Sequence, residues 1–214
     1  FVDDVAVSAD GRMAYFSDAS SKFAYPDFTS DILEHSANGR LLAYDFQTGQ
    51  TRTLLSKLYF ANGVALAKDE SFVLVNETSA FRITRLWLKG PLAGQSEVFV
   101  DNLPGFPDNI RTDAQGNFWV AIPAKRDPLL EWLADKPAVR TWLAKLTKFV
   151  QFPVKSTAMV LVLKPNGQLL HNLQAPTADG YFYITQATPA GNQVYFNSVH
   201  NDGMAVFEIP AQGK

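Results

Sequence analysis

Three short segments of this 214-residue chain place a carboxylate or amide just ahead of an apolar run: Phe1-Val2-Asp3-Asp4-Val5, Phe60-Ala61-Asn62-Gly63-Val64 and Phe106-Pro107-Asp108-Asn109-Ile110. Side-chain oxygens of this kind suit a hard divalent cation such as Ca²⁺, which gathers oxygen ligands at about 2.3 to 2.6 Å. A cation so held polarises an ester carbonyl and lowers the pKa of bound water, supplying electrophile and nucleophile without a covalent intermediate. Any one segment alone also reads as a turn, because Asn-Gly and Pro-Asp-Asn are ordinary turn sequences. The coincidence of three such segments at matching positions points to a metal site.

For three segments so far apart in sequence to share one ion, something must bring them together. The repeating pattern of the chain supplies it. An apolar strand start, a turn and an aromatic-rich alternating strand recur at Val5-Ala6-Val7 into Ala14-Tyr15-Phe16, Val64-Ala65-Leu66 into Phe72-Val73-Leu74-Val75, Ile110-Arg111-Thr112 into Phe118-Trp119-Val120, and Ile184-Thr185-Gln186 into Val194-Tyr195-Phe196. Second hairpins follow at Arg40–Tyr44 with a turn at Gln47-Thr48-Gly49, at Arg82–Trp87 with a turn near Gly90, and at Met159–Leu163 with a turn at Pro165-Asn166-Gly167. Two hairpins per unit make a four-stranded antiparallel sheet, and units of roughly 40 to 50 residues are propeller blades. The expectation is one all-β domain over 1–214, a β-propeller with about four blades in this chain, the last lacking its closing strand. A β-sandwich also has short strands between turns, but it does not require the same hairpin pair to recur at near-constant spacing. On radially arranged blades, equivalent positions converge on the axis, which brings Asp3, Asn62 and Asp108 to one place.

The pattern changes to helical period from 127 to 150. Asp127 can cap, Pro128 suits a first turn, and Leu129, Leu130 and Leu133 share a face. Pro137 starts a second helix carrying Val139, Trp142, Leu143, Leu146, Phe149 and Val150. This helical hairpin is read as an insertion between strands. It can pack as a cap over one end of the propeller, act as a lid over the pocket, or touch a membrane surface through Trp132 and Trp142 with Lys136, Lys145 and Lys148 alongside.

Composition narrows the function classes. Lys and Arg total 19 against 21 Asp and Glu, a net charge of −2, so no broad basic field exists to attract nucleic acid phosphates. There are no cysteines, which excludes disulfides and thiolate metal sites and leaves the compartment open. No apolar run approaches the roughly 18 residues of a membrane span; a signal or anchor upstream would make the protein periplasmic or membrane-anchored. His35, His171 and His200 are scattered without zinc-ligand spacing. His200, beside Asn201 and Asp202, reads as a turn residue. Gly-x-Ser-x-Gly elbows and Gly-rich phosphate loops are absent. Asp18 and Glu77 follow strands near the same end, and each reads equally well as an axial residue or as a turn-stabilising one.

Several runs carry a resemblance: Tyr15-Phe16-Ser17-Asp18-Ala19-Ser20-Ser21-Lys22-Phe23, Gly39-Arg40-Leu41-Leu42-Ala43-Tyr44-Asp45, Phe72-Val73-Leu74-Val75-Asn76-Glu77-Thr78 and, most specific of all, Pro104-Gly105-Phe106-Pro107-Asp108-Asn109-Ile110-Arg111. With Phe1-Val2-Asp3-Asp4-Val5 they resemble the strictosidine synthase-like family of six-bladed propellers, related to paraoxonases and gluconolactonases, over essentially the whole chain. The resemblance implies the six-bladed type, with about two blades upstream, and a divalent metal, usually calcium, on the axis, with Asn62 and Asp108 at metal-ligand positions and Asn109 as the following amide. Asp3 puts a charge where related loops carry asparagine, and the family's first-blade glutamate lies outside this chain. Strictosidine formation uses a glutamate that aligns with Thr185 in Tyr183-Ile184-Thr185-Gln186-Ala187. Neither Thr185 nor Gln186 exchanges a proton near neutral pH as a carboxylate does, so that condensation is not expected.

The reading is therefore a calcium-dependent arylesterase or lactonase with Asp108, Asn109 and Asp3 as catalytic candidates and Asn62, Asp108, Asp3 and Asn109 as metal ligands, acting on a small-molecule ester or lactone. The alternative is a non-catalytic propeller that binds a protein partner or a membrane surface. A third is a sugar-lactone hydrolase with a polar pocket.

Overall fold

The computed structural model describes residues 1–147, 155–176 and 180–209. They form four consecutive antiparallel sheets, each a meander. The first contains β1 (Val2–Val7), β2 (Met13–Asp18), β3 (Gly39–Asp45) and β4 (Gln50–Leu58) in that order. The second runs β5 (Ala61–Leu66), β6 (Phe72–Glu77), β7 (Arg82–Trp87), β8 (Ser96–Val100). In the third, a two-residue strand β9 (Gly105–Phe106) and then β10 (Ile110–Thr112) both pair with β11 (Phe118–Lys125), followed by β12 (Ser156–Leu163) and β13 (Leu169–Ala175). The fourth has three strands among the described residues, β14 (Ile184–Ala190), β15 (Gln193–Ser198) and β16 (Ala205–Glu208). The first strands of neighbouring sheets, β1, β5, β10 and β14, contact one another in that order. Four blades of a propeller are thus present.

The core lies between blades, and strand alternation builds it. On β6, Phe72 and Leu74 face the third sheet while Val73 and Val75 face the first. On β11, Phe118, Val120 and Ile122 turn toward the second sheet and Trp119 and Ala121 toward the fourth. Successive side chains on a strand point to opposite faces, so a strand sandwiched on both sides reads as a continuous apolar run. Each fully buried Phe, Leu or Ile in these layers contributes about 2 kcal/mol. Pro123, which has no N–H to donate, sits where the β11–β12 register breaks between Ile122 and Ala124.

Three helices cluster at one end. α1 (Phe28–Glu34) connects β2 to β3, a stretch without a helical pattern in the sequence, while α2 (Pro128–Trp132) and α3 (Pro137–Leu146) form the expected insertion between β11 and β12. Asp127 caps α2, its carboxylate accepting the Leu129 N–H at 2.8 Å. Lys148, Phe149 and Val150 lie outside the described residues. The expected apolar stripe of α3 is split: Trp142 is 59% exposed and Val139 42%, whereas Leu143 and Leu146 are half-buried beside the buried Arg140 and Ala144. The reason is electrostatic. Arg140 donates Nε to the Leu33 carbonyl at 2.9 Å and Nη2 to the Ile32 carbonyl at 3.1 Å, satisfying carbonyls at the end of α1 that have no partner within the helix. Ser30 and Thr147 hydroxyls, 2.6 Å apart, add a second tie between α1 and the end of the insertion.

Candidate functional site

The inner strand of every blade is interrupted at the same level. Register shifts between Val2 and Val5 in β1, between Ala61 and Val64 in β5, and between Ile184 and Gln186 in β14. In the third blade the ladder passes from Phe106 in β9 to Ile110 in β10, with 107–109 bulging out between them. A bulge re-aims the side chains it displaces, and the displaced residues are Asp3 and Asp4, Asn62 and Gly63, Asp108 and Asn109, and Thr185. Asn62-Gly63 is therefore a strand bulge rather than a turn. Its glycine is required by space: the Gly63 N–H donates to the Asp108 carbonyl at 3.2 Å, and a Cβ there would lie 2.5 Å from that oxygen. Asn76 Nδ2 donates to the same carbonyl from β6.

Asp108 lies close enough to Asp3 and Asn62 for both to bear on its ionisation. Burial first, and the negative charge of Asp3 second, push the Asp108 carboxyl up to about 8, opposed by the nearby Asn62 amide. Asp3 rises to about 6 through the protein packed around it and then through Asp4, although the residue keeps solvent-exposed surface. The Asn62 Oδ1 is buried with no hydrogen-bond partner among the described residues. Two crowded carboxylates and an orphan amide oxygen fit a divalent cation, since its charge would relieve the repulsion and its coordination sphere would take up the oxygen. Among the described residues no group of three His, Cys, Asp or Glu side chains forms a metal cluster, so amide oxygens would have to complete the ligand set. Asn109 is directed elsewhere: both its backbone N–H and its Nδ2 donate to the Thr185 carbonyl at 3.1 Å, tying the third blade to the fourth.

Beneath this cluster runs a lock that the sequence did not reveal. Asp4, buried, accepts the Val64 N–H at 2.8 Å, Arg111 Nη1 at 2.7 Å and Arg111 Nη2 at 2.9 Å. Arg111 Nη2 also donates to Gln186 Oε1 at 2.8 Å, so the inner strands of all four blades are bonded together. The aspartate pair of β1 is thus divided, with Asp4 structural and Asp3 facing Asp108.

Aromatic side chains gather around the cluster. Phe1 packs edge-on against both Phe60 and Tyr25, each at 5.9 Å between ring centres. Tyr183 lies near enough to Asp108 and Tyr25 for their charges to add to burial in raising its phenol, and His200 packs edge-on to Tyr183 at 4.3 Å. Asp18 and Glu77 have structural partners. Asp18 receives Arg40, and the fully buried Glu77 receives Arg82, the Thr84 hydroxyl and the Tyr59 N–H. Phe60 has φ 56°, a left-handed conformation unusual for a bulky residue, and it turns its ring to Phe1 while Tyr59 lies tilted against His35 at 4.7 Å.

The profile of the strictosidine synthase family matches residues 3–91. Adipocyte plasma membrane-associated protein of Rattus norvegicus is 37% identical over 204 residues, covering 92% of this chain and 54% of its own length. Among solved structures, a gluconolactonase from Xanthomonas campestris superposes with a TM-score of 0.56 at 16% identity, covering 91% of this chain and 53% of that one. The calcium-binding protein regucalcin from Agrobacterium tumefaciens superposes with a TM-score of 0.57 at 15% identity, covering 94% and 55%. The chain spans about half the length of these relatives, and the two structural likenesses establish the fold alone. No helix among the described residues is long and apolar enough to cross a membrane.

Proposed function

Because the chain is a strictosidine synthase-like propeller, we propose that its axial cluster serves metal-dependent hydrolysis of aryl esters or lactones, the metal being calcium. The observation that carries this reading is the closeness of Asp3 and Asp108 beside the orphan oxygen of Asn62. A divalent cation, when bound, supplies Lewis-acid polarisation of a carbonyl and acidifies water. Asp108, Asp3 and the Asn62 Oδ1 would hold it. Asn109 then acts as a positioning residue, its double bond to the Thr185 carbonyl holding the loop that carries Asp108. Gly63 and Asn76 clamp the Asp108 carbonyl from the second blade, and the Asp4–Arg111–Gln186 lock fixes the spacing of the inner strands. Phe1, Tyr25, Phe60 and Tyr183 offer an apolar, ring-lined approach that favours an aryl or alkyl acyl group over a sugar lactone. Thr185 offers no proton-exchanging group where strictosidine formation needs one, so amine–aldehyde condensation is excluded from the proposal. The names of the solved neighbours, gluconolactonase and calcium-binding regucalcin, agree with lactone chemistry and calcium.

Elemental analysis of the full-length protein, paired with turnover of phenyl acetate and a lactone panel before and after chelation, tests the proposal. Calcium near one equivalent and turnover lost on chelation support it; full turnover in metal-free protein overturns it. One observation favours a second role. Trp132 and Trp142, 62% and 59% exposed, stand on the insertion together with exposed Leu129 and Val139, a surface suited to a membrane interface.

A further inference from the structure

A cavity of about 480 Å³ lies away from the axial cluster beneath the helical cap, lined by residues of α1, of the turn after β6, of β9 and of α2 and α3. Its walls include the rings of Tyr59, Phe81 and Phe106, the latter two 4.9 Å apart. Three guanidinium groups line it. Arg82 is neutralised by the buried Glu77 and Arg126 by Glu131, at 2.8 and 3.2 Å. Arg140, 5% exposed, has no carboxylate partner among the described residues; its bonds go to the Leu33, Ile32 and Leu130 carbonyls and leave guanidinium N–H groups over. Two further polar atoms of the lining are buried without a partner among the described residues, the Ser79 hydroxyl, in a residue 3% exposed, and His35 Nδ1. Burial, followed by the charges of Arg140 and Arg82, holds His35 down at about 4, so it is neutral at pH 7 and can donate or accept. Buried polar atoms normally have partners, and here two of them share a cavity with an unpaired cation and three rings.

We infer that this cavity binds an amphipathic organic monoanion, its carboxylate held by Arg140 with Ser79 and His35 and its apolar body lying against Tyr59, Phe81 and Phe106. The size is that of a small-molecule pocket, and the lining, with one guanidinium left unneutralised, calls for a single negative charge. The inference does not depend on the axial hydrolase, because none of Asp3, Asn62, Asp108 and Asn109 lines this cavity.

Calorimetric titration of the full protein with decanoate, using decanol as the uncharged control, tests it. Saturable decanoate binding is expected, with decanol at least about tenfold weaker, the factor carried by one charge-assisted hydrogen bond. Arg140 also ties α1 to α3, so Arg140→Met can fail to fold. Ala80→Trp, at a half-buried lining position, fills the cavity instead and should abolish binding at an unchanged melting temperature. Asp108→Asn should bind decanoate as the wild type does. No saturable binding, equal affinity for decanol, unchanged binding by folded Ala80→Trp, or loss of binding in Asp108→Asn would each overturn the inference, the last by placing the ligand on the axis.

Discussion

Gly63 and Asp108 touch backbone to backbone across two blades, the glycine N–H bonded to the aspartate carbonyl at 3.2 Å with no room for a Cβ between them. Gly63→Ala would force a 2.5 Å contact with that oxygen and a 2.6 Å contact with the Ile110 nitrogen. Backbone atoms on both sides cannot swing away, so the strands must part. A loss of about 1 to 3 kcal/mol is expected from such overpacking, with calcium affinity falling alongside because Asn62 and Asp108 are moved apart. Urea unfolding and calcium titration of the variant measure both.

Removing the carboxylate itself separates chemistry from folding. Asp108→Ala removes a carboxyl whose ionisation burial and Asp3 oppose, so at pH 8 and above the metal-free variant should melt no lower than metal-free wild type while losing the melting shift caused by calcium. Ester turnover should drop by about 100-fold or more, the scale on which lost transition-state electrostatics is felt. Retained turnover with retained calcium would remove Asp108 from the site.

The raised carboxyls fix the sign of a pH effect. Asp108 and Asp3 titrate in the folded chain at about 8 and about 6, above the ordinary value of 3.8. Their protonated forms favour folding, so the contribution is complete below about pH 4 and is lost as pH rises through 6 and then 8. Chelated wild type should therefore lose stability relative to chelated Asp108→Asn as pH rises from 4 to 8. Calcium should cancel the slope and, at pH 7, displace protons on binding, visible as a binding heat that depends on the ionisation enthalpy of the buffer. A wild-type difference that is flat with pH would contradict the assignment.

Arg111→Met tests the lock beneath the cluster. It would leave Asp4 buried and charged without its ion pair, which costs about 3 kcal/mol. Asp4→Asn combined with Arg111→Met should recover part of that loss, since no orphan charge remains. Thermal denaturation of the single and double variants gives the comparison.

Trp132→Ala and Trp142→Ala remove exposed rings, so stability should move by no more than about 0.5 kcal/mol each. If the insertion rests on lipid, sedimentation with vesicles containing phosphatidylserine should fall in the double variant. Equal sedimentation of variant and wild type would count against a membrane role.

The blades were legible because their signal is local. Phe72-Val73-Leu74-Val75 is an unbroken apolar run, as a strand covered on both faces requires, and the turns that join such strands carry their own residues. Asp3, Asn62 and Asp108 hold equivalent places in their segments, and the structure sets each at the interruption of an inner strand rather than in a loop ahead of it. The Asp4–Arg111 bond was not legible, because its partners are 107 residues apart and nothing in either neighbourhood names the other. The same holds for α1, whose seven residues carry little periodicity and whose last carbonyls are met by Arg140 from α3. That contact also explains why the apolar stripe on α3 was only a partial guide to its packed face. A guanidinium that completes another helix is buried for its hydrogen bonds, and hydrophobic periodicity cannot register it.

Tyr59 and Phe60 are joined by one peptide bond, yet one ring lies tilted against His35 and the other edge-on to Phe1. That bond is a party wall between two rooms. Replacing either ring redecorates one side, but changing the left-handed turn of Phe60 shifts the wall itself and disturbs both tenants at once.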